Sequence, residues 1–124
     1  MEELEISVSQ EQGRVPVTVF RLKGRLNLGT AEQLQAKVQD AVQAGARYVL
    51  LDLSEVLSVT SAGLRAFHQM YQLLRGDSPA EGALKSPYLK LLDPTPDVRK
   101  VLHIAGFDMF LEIRDDVKEA IASF

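Results

Sequence analysis

The sequence contains no cysteine. That absence excludes a disulfide framework, a thiol nucleophile and every cysteine-ligated zinc or iron–sulfur centre, and it suits a reducing compartment. Histidine is scarce. His68 and His103 stand far apart without metal-ligand spacing, so no metal site is expected. The formal net charge is −3, and no basic stripe of the kind that tracks a nucleic-acid backbone runs along the chain, so nucleic acid is not expected as a partner. No apolar run approaches the length of a membrane span, and the N-terminus carries no signal-peptide pattern. Membrane insertion is therefore not expected, and a cytoplasmic location is. Neither a Walker-type glycine loop nor a dinucleotide fingerprint occurs. A small enzyme or nucleotide-binding domain fits poorly, and no catalytic residue and no cofactor is assigned.

What remains is an ordinary globular composition. The chain has 124 residues, 46% of them hydrophobic and 25% charged, enough for one domain, 1–124, with a core that needs no staples. Leu4 to Ser9 alternates apolar and polar residues, as a half-buried strand does, and Val15 to Leu22 is strand-like again beyond a turn at Gly13. The two are close enough to pair as an antiparallel hairpin. Gly24 to Gly29 reads as irregular. Thr30, with Gln33 three residues on, has the form of a capping box and predicts a helix that Gly45 stops. Tyr48 to Leu53 is nearly continuous apolar, the mark of a central strand buried on both faces.

From Ser61 to Arg75 the period is helical, with Gly63, Phe67, Met70 and Leu74 forming one inward stripe. Gly76 to Pro87 has loop composition and is long for a connection in a compact domain. Tyr88 to Leu92 reads as a strand. Thr95 and Pro96 predict a helix start that Gly106 closes. Phe110 to Ile113 reads as a short last strand, and Asp115 as the cap of a final helix through Ala122. The order predicts an α/β domain: a four- to five-stranded, mostly parallel sheet with an N-terminal antiparallel hairpin and about four helices.

Isolated polar residues carry little chemistry. Asp52, late in a buried strand, could suggest the acceptor of a receiver domain, but the acidic pair such a domain needs after its first strand is missing. It reads as a strand-end carboxylate bonded to nearby backbone. His68 reads as a partly exposed helix residue and His103 as lying on the outer face of its helix, with no nucleophile beside either in sequence.

The informative stretch is LLDLSEVLSVTSAGL, Leu50 to Leu64. A buried strand runs into a short loop, and a helix begins at Thr60 or Ser61 with Ser61, Ala62 and Gly63 clustered at its start. Small residues let another backbone approach. On spacing alone a hydroxyl there reads as a helix cap, although a phosphate attached at a helix N-terminus would be locally tolerated.

These residues carry a resemblance. Leu51-Asp52-Leu53-Ser54, Val56 and Val59-Thr60-Ser61-Ala62-Gly63-Leu64-Arg65 are similar to the signature of STAS domains, the anti-sigma factor antagonists. Gly24-Arg25-Leu26-Asn27 resembles the family's early turn, and Val98 to Phe107 its late helix followed by a glycine and an aromatic. The resemblance implies a STAS-like sheet with helices on one side. It also implies a regulatory protein-binding module whose phosphoacceptor is Ser61, with Thr60 as second candidate. The partners it implies are an anti-sigma factor serine kinase, which the unphosphorylated antagonist binds, and a PP2C-type phosphatase that resets the switch. Arg65 and His68 on the accessible part of the helix, with Ser61, Ala62, Gly63, Leu64 and the turn Asn27, Leu28 and Gly29, form the expected partner patch. Two positions depart from the pattern: Thr60 and Asn27 stand where the family often has aspartate. Both changes remove negative charge around Ser61, which eases a phosphoserine there or directs the domain to a different kinase or to none. The alternative is a STAS-type adaptor subunit of a transporter or sensory complex that is never phosphorylated.

Overall fold

The computed structural model describes residues 4–76 and 85–124. Its elements run β1 (Glu5–Gln12), β2 (Pro16–Leu26), α1 (Leu28–Gln43), β3 (Val49–Val59), α2 (Ser61–Arg75), β4 (Leu89–Leu92), α3 (Pro96–Ile104), a 3-10 turn (Phe107–Met109), β5 (Glu112–Arg114) and α4 (Val117–Ala122). The five strands form one sheet in the order β1-β2-β3-β4-β5. The β1–β2 pair is antiparallel and the other three pairs are parallel. The expected α/β class, hairpin and helix number all appear, with β3 in the middle of the sheet. The expected loop at Gly76 to Pro87 lies largely outside the described residues.

Strand β3 shows why its sequence is so apolar. Val49, Leu51 and Leu53 turn to a large core under α1, α2 and α3, together with Phe20, Leu34, Phe67, Met70, Leu91 and Leu102. Leu50 turns the other way, into a smaller cluster with Val17, Val19, Leu92 and Ala120. That second cluster lies under α4. The expectation that all helices lie on one side is therefore corrected: α4 crosses to the opposite face. Val117, Ala120 and Ile121 give it an apolar side, and Val17, Val19 and Leu50 would otherwise meet water there.

Several local boundaries also differ from expectation. α1 begins two residues before Thr30, because Asn27 is the cap. Its Oδ1 accepts from Thr30 N at 3.2 Å, and Thr30 Oγ1 accepts from Asn27 N at 2.9 Å. Gln33, expected to complete the box, instead donates to the carbonyl of Leu4 at 3.0 Å. Both β2 and β3 continue past the points where their alternation breaks. Register shifts between Arg21 and Lys23 and between Gly24 and Arg25 absorb the irregularity, and Gly24 takes φ 131° where a side chain would be strained. Asp116, not Asp115, caps α4, accepting from Glu119 N at 2.9 Å. Asp115 pairs with Arg99 at 2.5 Å instead. The last strand starts at Glu112 because the 3-10 turn takes up the residues before it. Thr95 and Pro96 open α3 as expected, with Thr95 accepting from Val98 N at 3.4 Å.

A buried cation fixes the end of α4. Lys90 Nζ donates to the carbonyl and hydroxyl oxygens of Ser123 at 2.8 and 2.9 Å, pairs with Glu112 at 2.8 Å and lies 4.8 Å from the Phe124 ring centre. Glu112 also pairs with Arg114 at 2.5 Å. Burial raises the tendency of the Glu112 carboxyl to stay protonated, but the hydrogen bonds and charges of Lys90 and Arg114 outweigh it and hold its pKa below the ordinary glutamate range.

Phe67 is fully buried, so Phe67→Ala is expected to cost about 3–5 kcal/mol in urea unfolding; a loss under about 1 kcal/mol would contradict its place in the core. The depressed Glu112 pKa contributes stability that is present above the ordinary glutamate value and lost as pH falls through the folded one. Urea midpoints followed from about pH 7 down to about pH 3 should therefore decline less steeply in Glu112→Gln than in the wild type. Equal acid limbs would remove Glu112 from the pH dependence.

Candidate functional site

The site is built by two strand ends. β2 and β3 run parallel, with Leu26 beside Val59 at their C-terminal ends, so α1 and α2 leave the sheet side by side. Thr60 N donates to the carbonyl of Leu26 at 2.9 Å, and Thr60 Oγ1 donates to the same oxygen at 3.2 Å. Thr60 occupies the N-cap position of α2, yet its hydroxyl caps no first-turn amide.

Gly63 is the point of closest approach between the helix and the strands. A Cβ built there would sit 2.8 Å from Val59 Cγ1, 3.1 Å from Leu26 Cβ and 3.2 Å from the Leu26 carbonyl oxygen. The family-like small-residue start is thus partly a packing device. Gly63 is buried and lies beneath the surface, which corrects its expected place in the partner patch. Ala62 and Leu64 are half-buried, and Leu64 packs against the large core.

Three of the other expected residues share one face of α2. Ser61, Arg65 and His68 are exposed, and their i, i+4, i+7 spacing puts them on the outward stripe of α2, continued by exposed Gln72. Asn27, half-buried, and Leu28 and Gly29, both exposed, stand at the start of α1. Leu28 is 67% exposed. The Ser61 hydroxyl makes no hydrogen bond among the described residues, whereas that of Thr60 is held by Leu26.

Sequence reading missed the aromatic flank of this stripe. His68 meets Phe110 edge-on at 6.0 Å between ring centres, and Tyr71 lies 5.0 Å from Phe110. Phe110 in turn contacts Phe107, which packs on Phe67 in the core. Tyr71 was visible at i+3 from His68; Phe110 comes from a distant segment, and no local pattern places it there.

α2 carries Arg65, His68 and Arg75 and no acidic residue, and the first turn of α1 carries none either. Asp52 lies elsewhere: its Oδ1 accepts from Ser54 N at 3.0 Å, the bond to nearby backbone expected of it, and it faces Arg21 at 3.9 Å, but it stands inside β3 and not at the strand end expected for it. His103 is exposed and its Nδ1 lies 2.6 Å from Asp108 Oδ2. That hydrogen bond holds the Asp108 carboxyl below its usual range. Among the described residues no three His, Asp or Glu side chains gather as a metal site, and no helix is long and apolar enough to cross a membrane.

The fold is shared with known proteins. The profile of the STAS domain family matches residues 8–120, and the chain belongs to that family. It is 35% identical over 103 residues to BtrV of Bordetella bronchiseptica, assigned as an anti-sigma factor antagonist, covering 83% of this chain and 82% of BtrV. The fold resembles an anti-sigma factor antagonist from Mycobacterium paratuberculosis, with TM-score 0.77, 19% identity and coverage of 97% and 92% of the two chains. It also resembles unphosphorylated SpoIIAA of Bacillus, with TM-score 0.69, 24% identity and 93% of each chain covered.

The close approach at Gly63 gives a contrast between two glycines. Gly63→Ala gains helix propensity of about 1 kcal/mol but forces contact with a main-chain oxygen that cannot rotate away, so a net loss of about 1–2 kcal/mol is expected. At Gly29 the added Cβ meets only Asn27 Oδ1, at 3.8 Å, so Gly29→Ala should unfold at or slightly above the wild-type urea concentration. The reverse order would show that Gly63 is not a packing constraint.

Proposed function

We propose that this chain is an anti-sigma factor antagonist in a partner-switching pathway, with Ser61 as its phosphoacceptor. The observation that carries the reading is the free Ser61 hydroxyl. It is exposed at the first position of α2, matches the family's acceptor position, and stands on a stripe with Arg65 and His68. Thr60, the second candidate, has its hydroxyl committed to Leu26. BtrV supports the reading through its assigned role. SpoIIAA, solved both unphosphorylated and phosphorylated, supports it as a protein of this fold that accepts a phosphate.

The partner in this reading is an anti-sigma factor that is also a serine kinase, and a PP2C-type phosphatase removes the phosphate. The unmodified stripe, flanked by Leu28 and the Asn27–Gly29 turn, packs against the kinase. A phosphate adds a charge of about −1.5 to −2 at neutral pH. The start of α2 tolerates that charge, so the domain stays folded. In the closely packed interface the charge must be desolvated, and each 1.4 kcal/mol of penalty is about tenfold in affinity. Thr60 and Asn27 lower the local negative charge and make the phosphate easier for the domain itself to accept.

Labelling by the cognate kinase tests this directly. Ser61→Ala is expected to keep kinase binding and lose labelling. Ser61→Asp is expected to bind more weakly while melting within a few degrees of the wild type. Full labelling of Ser61→Ala would move the acceptor to Thr60. Absence of labelling in the wild type would favour the adaptor role, in which the same surface binds a partner without a switch.

A further inference from the structure

Most arginines of this chain are engaged. Arg21 faces Asp52, Arg99 pairs with Asp115, and Arg114 bridges Glu112 and Glu119. Arg47 lies over the Tyr88 ring, and Arg25 and Arg75 have contacts of their own. Arg65 is different, as is Arg14 at the turn between β1 and β2, away from the start of α2. Among the described residues the Arg65 guanidinium has no carboxylate, hydrogen-bond acceptor or ring as partner, and it is exposed. It stands one helical turn after Ser61 on the same outward stripe, on a helix without a single acidic residue.

We propose that Arg65 is the internal counter-ion of the Ser61 phosphate. In the unmodified protein it projects from the docking face; once Ser61 is phosphorylated it folds back along α2 onto the phosphate oxygens. Phosphorylation then alters the docking face twice, adding an anion and withdrawing a cation. The inference rests on the reading of Ser61 as the acceptor.

The geometry favours this pairing. Residues at i and i+4 have Cβ atoms about 5–6 Å apart on a helix surface. Helical side chains lean toward the N-terminus, which carries the long Arg65 stem toward Ser61 and not away from it. The planar guanidinium presents paired N–H donors that match two phosphate oxygens. No ion pair has to be broken to release it. His68, the other cationisable group on the stripe, is seven residues from Ser61, about 10 Å along the axis, and its ring is occupied with Tyr71 and Phe110. Its short side chain does not span that distance.

Installing phosphoserine at position 61 by an expanded genetic code makes the test independent of any kinase. The second ionisation of the phosphate is then followed by ³¹P NMR in the full chain, in the parent with Arg65 intact and in the variants Arg65→Lys and Arg65→Gln. A direct guanidinium contact favours the dianion, so Arg65→Gln should titrate about 0.3–0.5 pH unit higher than the parent, with Arg65→Lys between them. Raising salt from about 0.1 M to about 1 M should close most of the gap, because an exposed pair is screened. His68→Gln, measured alongside, should leave the midpoint at the parent value. Coincident midpoints for the parent and Arg65→Gln overturn the proposal, as does a gap that high salt leaves intact or one that His68→Gln reproduces. Failure of kinase labelling at Ser61 would overturn the functional reading instead, and leaves the ³¹P result readable on its own.

Discussion

One main-chain oxygen organises the end of the molecule that carries Ser61. The carbonyl of Leu26 receives both the amide and the hydroxyl of Thr60, which ties the end of β2 to the end of β3. From that knot the chain leaves twice, into α1 after Asn27 and into α2 at Ser61. Gly63 then has to pass within contact of Leu26 and Val59, so the first turn of α2 is held against the strand ends and a small residue is required there for steric reasons. The exposed Ser61 hydroxyl owes its position to this buried constraint, not to any interaction of its own.

The same knot accounts for what the sequence could and could not reveal. The continuous apolar run at Tyr48–Leu53 and the helical stripe Gly63, Phe67, Met70 and Leu74 report burial directly; α2 spans the expected residues, whereas β3 runs on to Val59 through the residues expected to form a short loop. Caps were less legible. Thr30 and Asp115 have the right chemistry, but Asn27 and Asp116 stand three residues ahead of the amides that needed acceptors. The irregular look of Gly24 to Gly29 came from a register shift at Gly24, which breaks alternation without ending the strand, followed at once by the cap Asn27 and the first residues of α1. The placement of α4 was hidden because its few apolar residues fit either face. Only the tertiary fact that Val17, Val19 and Leu50 need cover decides between them. At the site, the members of α2 were legible from helical spacing. Phe110 and the unpaired state of Arg65 depend on contacts between distant segments.

The two faces of the sheet divide the labour of the molecule. The broad core under α1, α2 and α3 supports the outward stripe of α2 from below, through Phe67, Phe107 and Phe110 up to His68. The smaller cluster on the other face is closed by α4 and by Lys90, whose charge is matched by Glu112 and whose remaining donors are taken by Ser123. A buried lysine is costly unless paired in this way. No ion pair of that group includes a residue of the stripe carrying Ser61 and Arg65, so the charges that anchor the last helix and the charges around Ser61 act on separate parts of the fold.

The sheet order β1-β2-β3-β4-β5 is also the order of the chain. Each strand after the first pairs with the one made just before it, and no strand is inserted between two that are already joined. Parallel pairing normally slows folding, because a long loop must close before any contact rewards it. In this topology each closure spans only one helix and its connections. A chain emerging from the ribosome can therefore lay down its sheet in the order of synthesis, hairpin first, with every new strand meeting a finished edge.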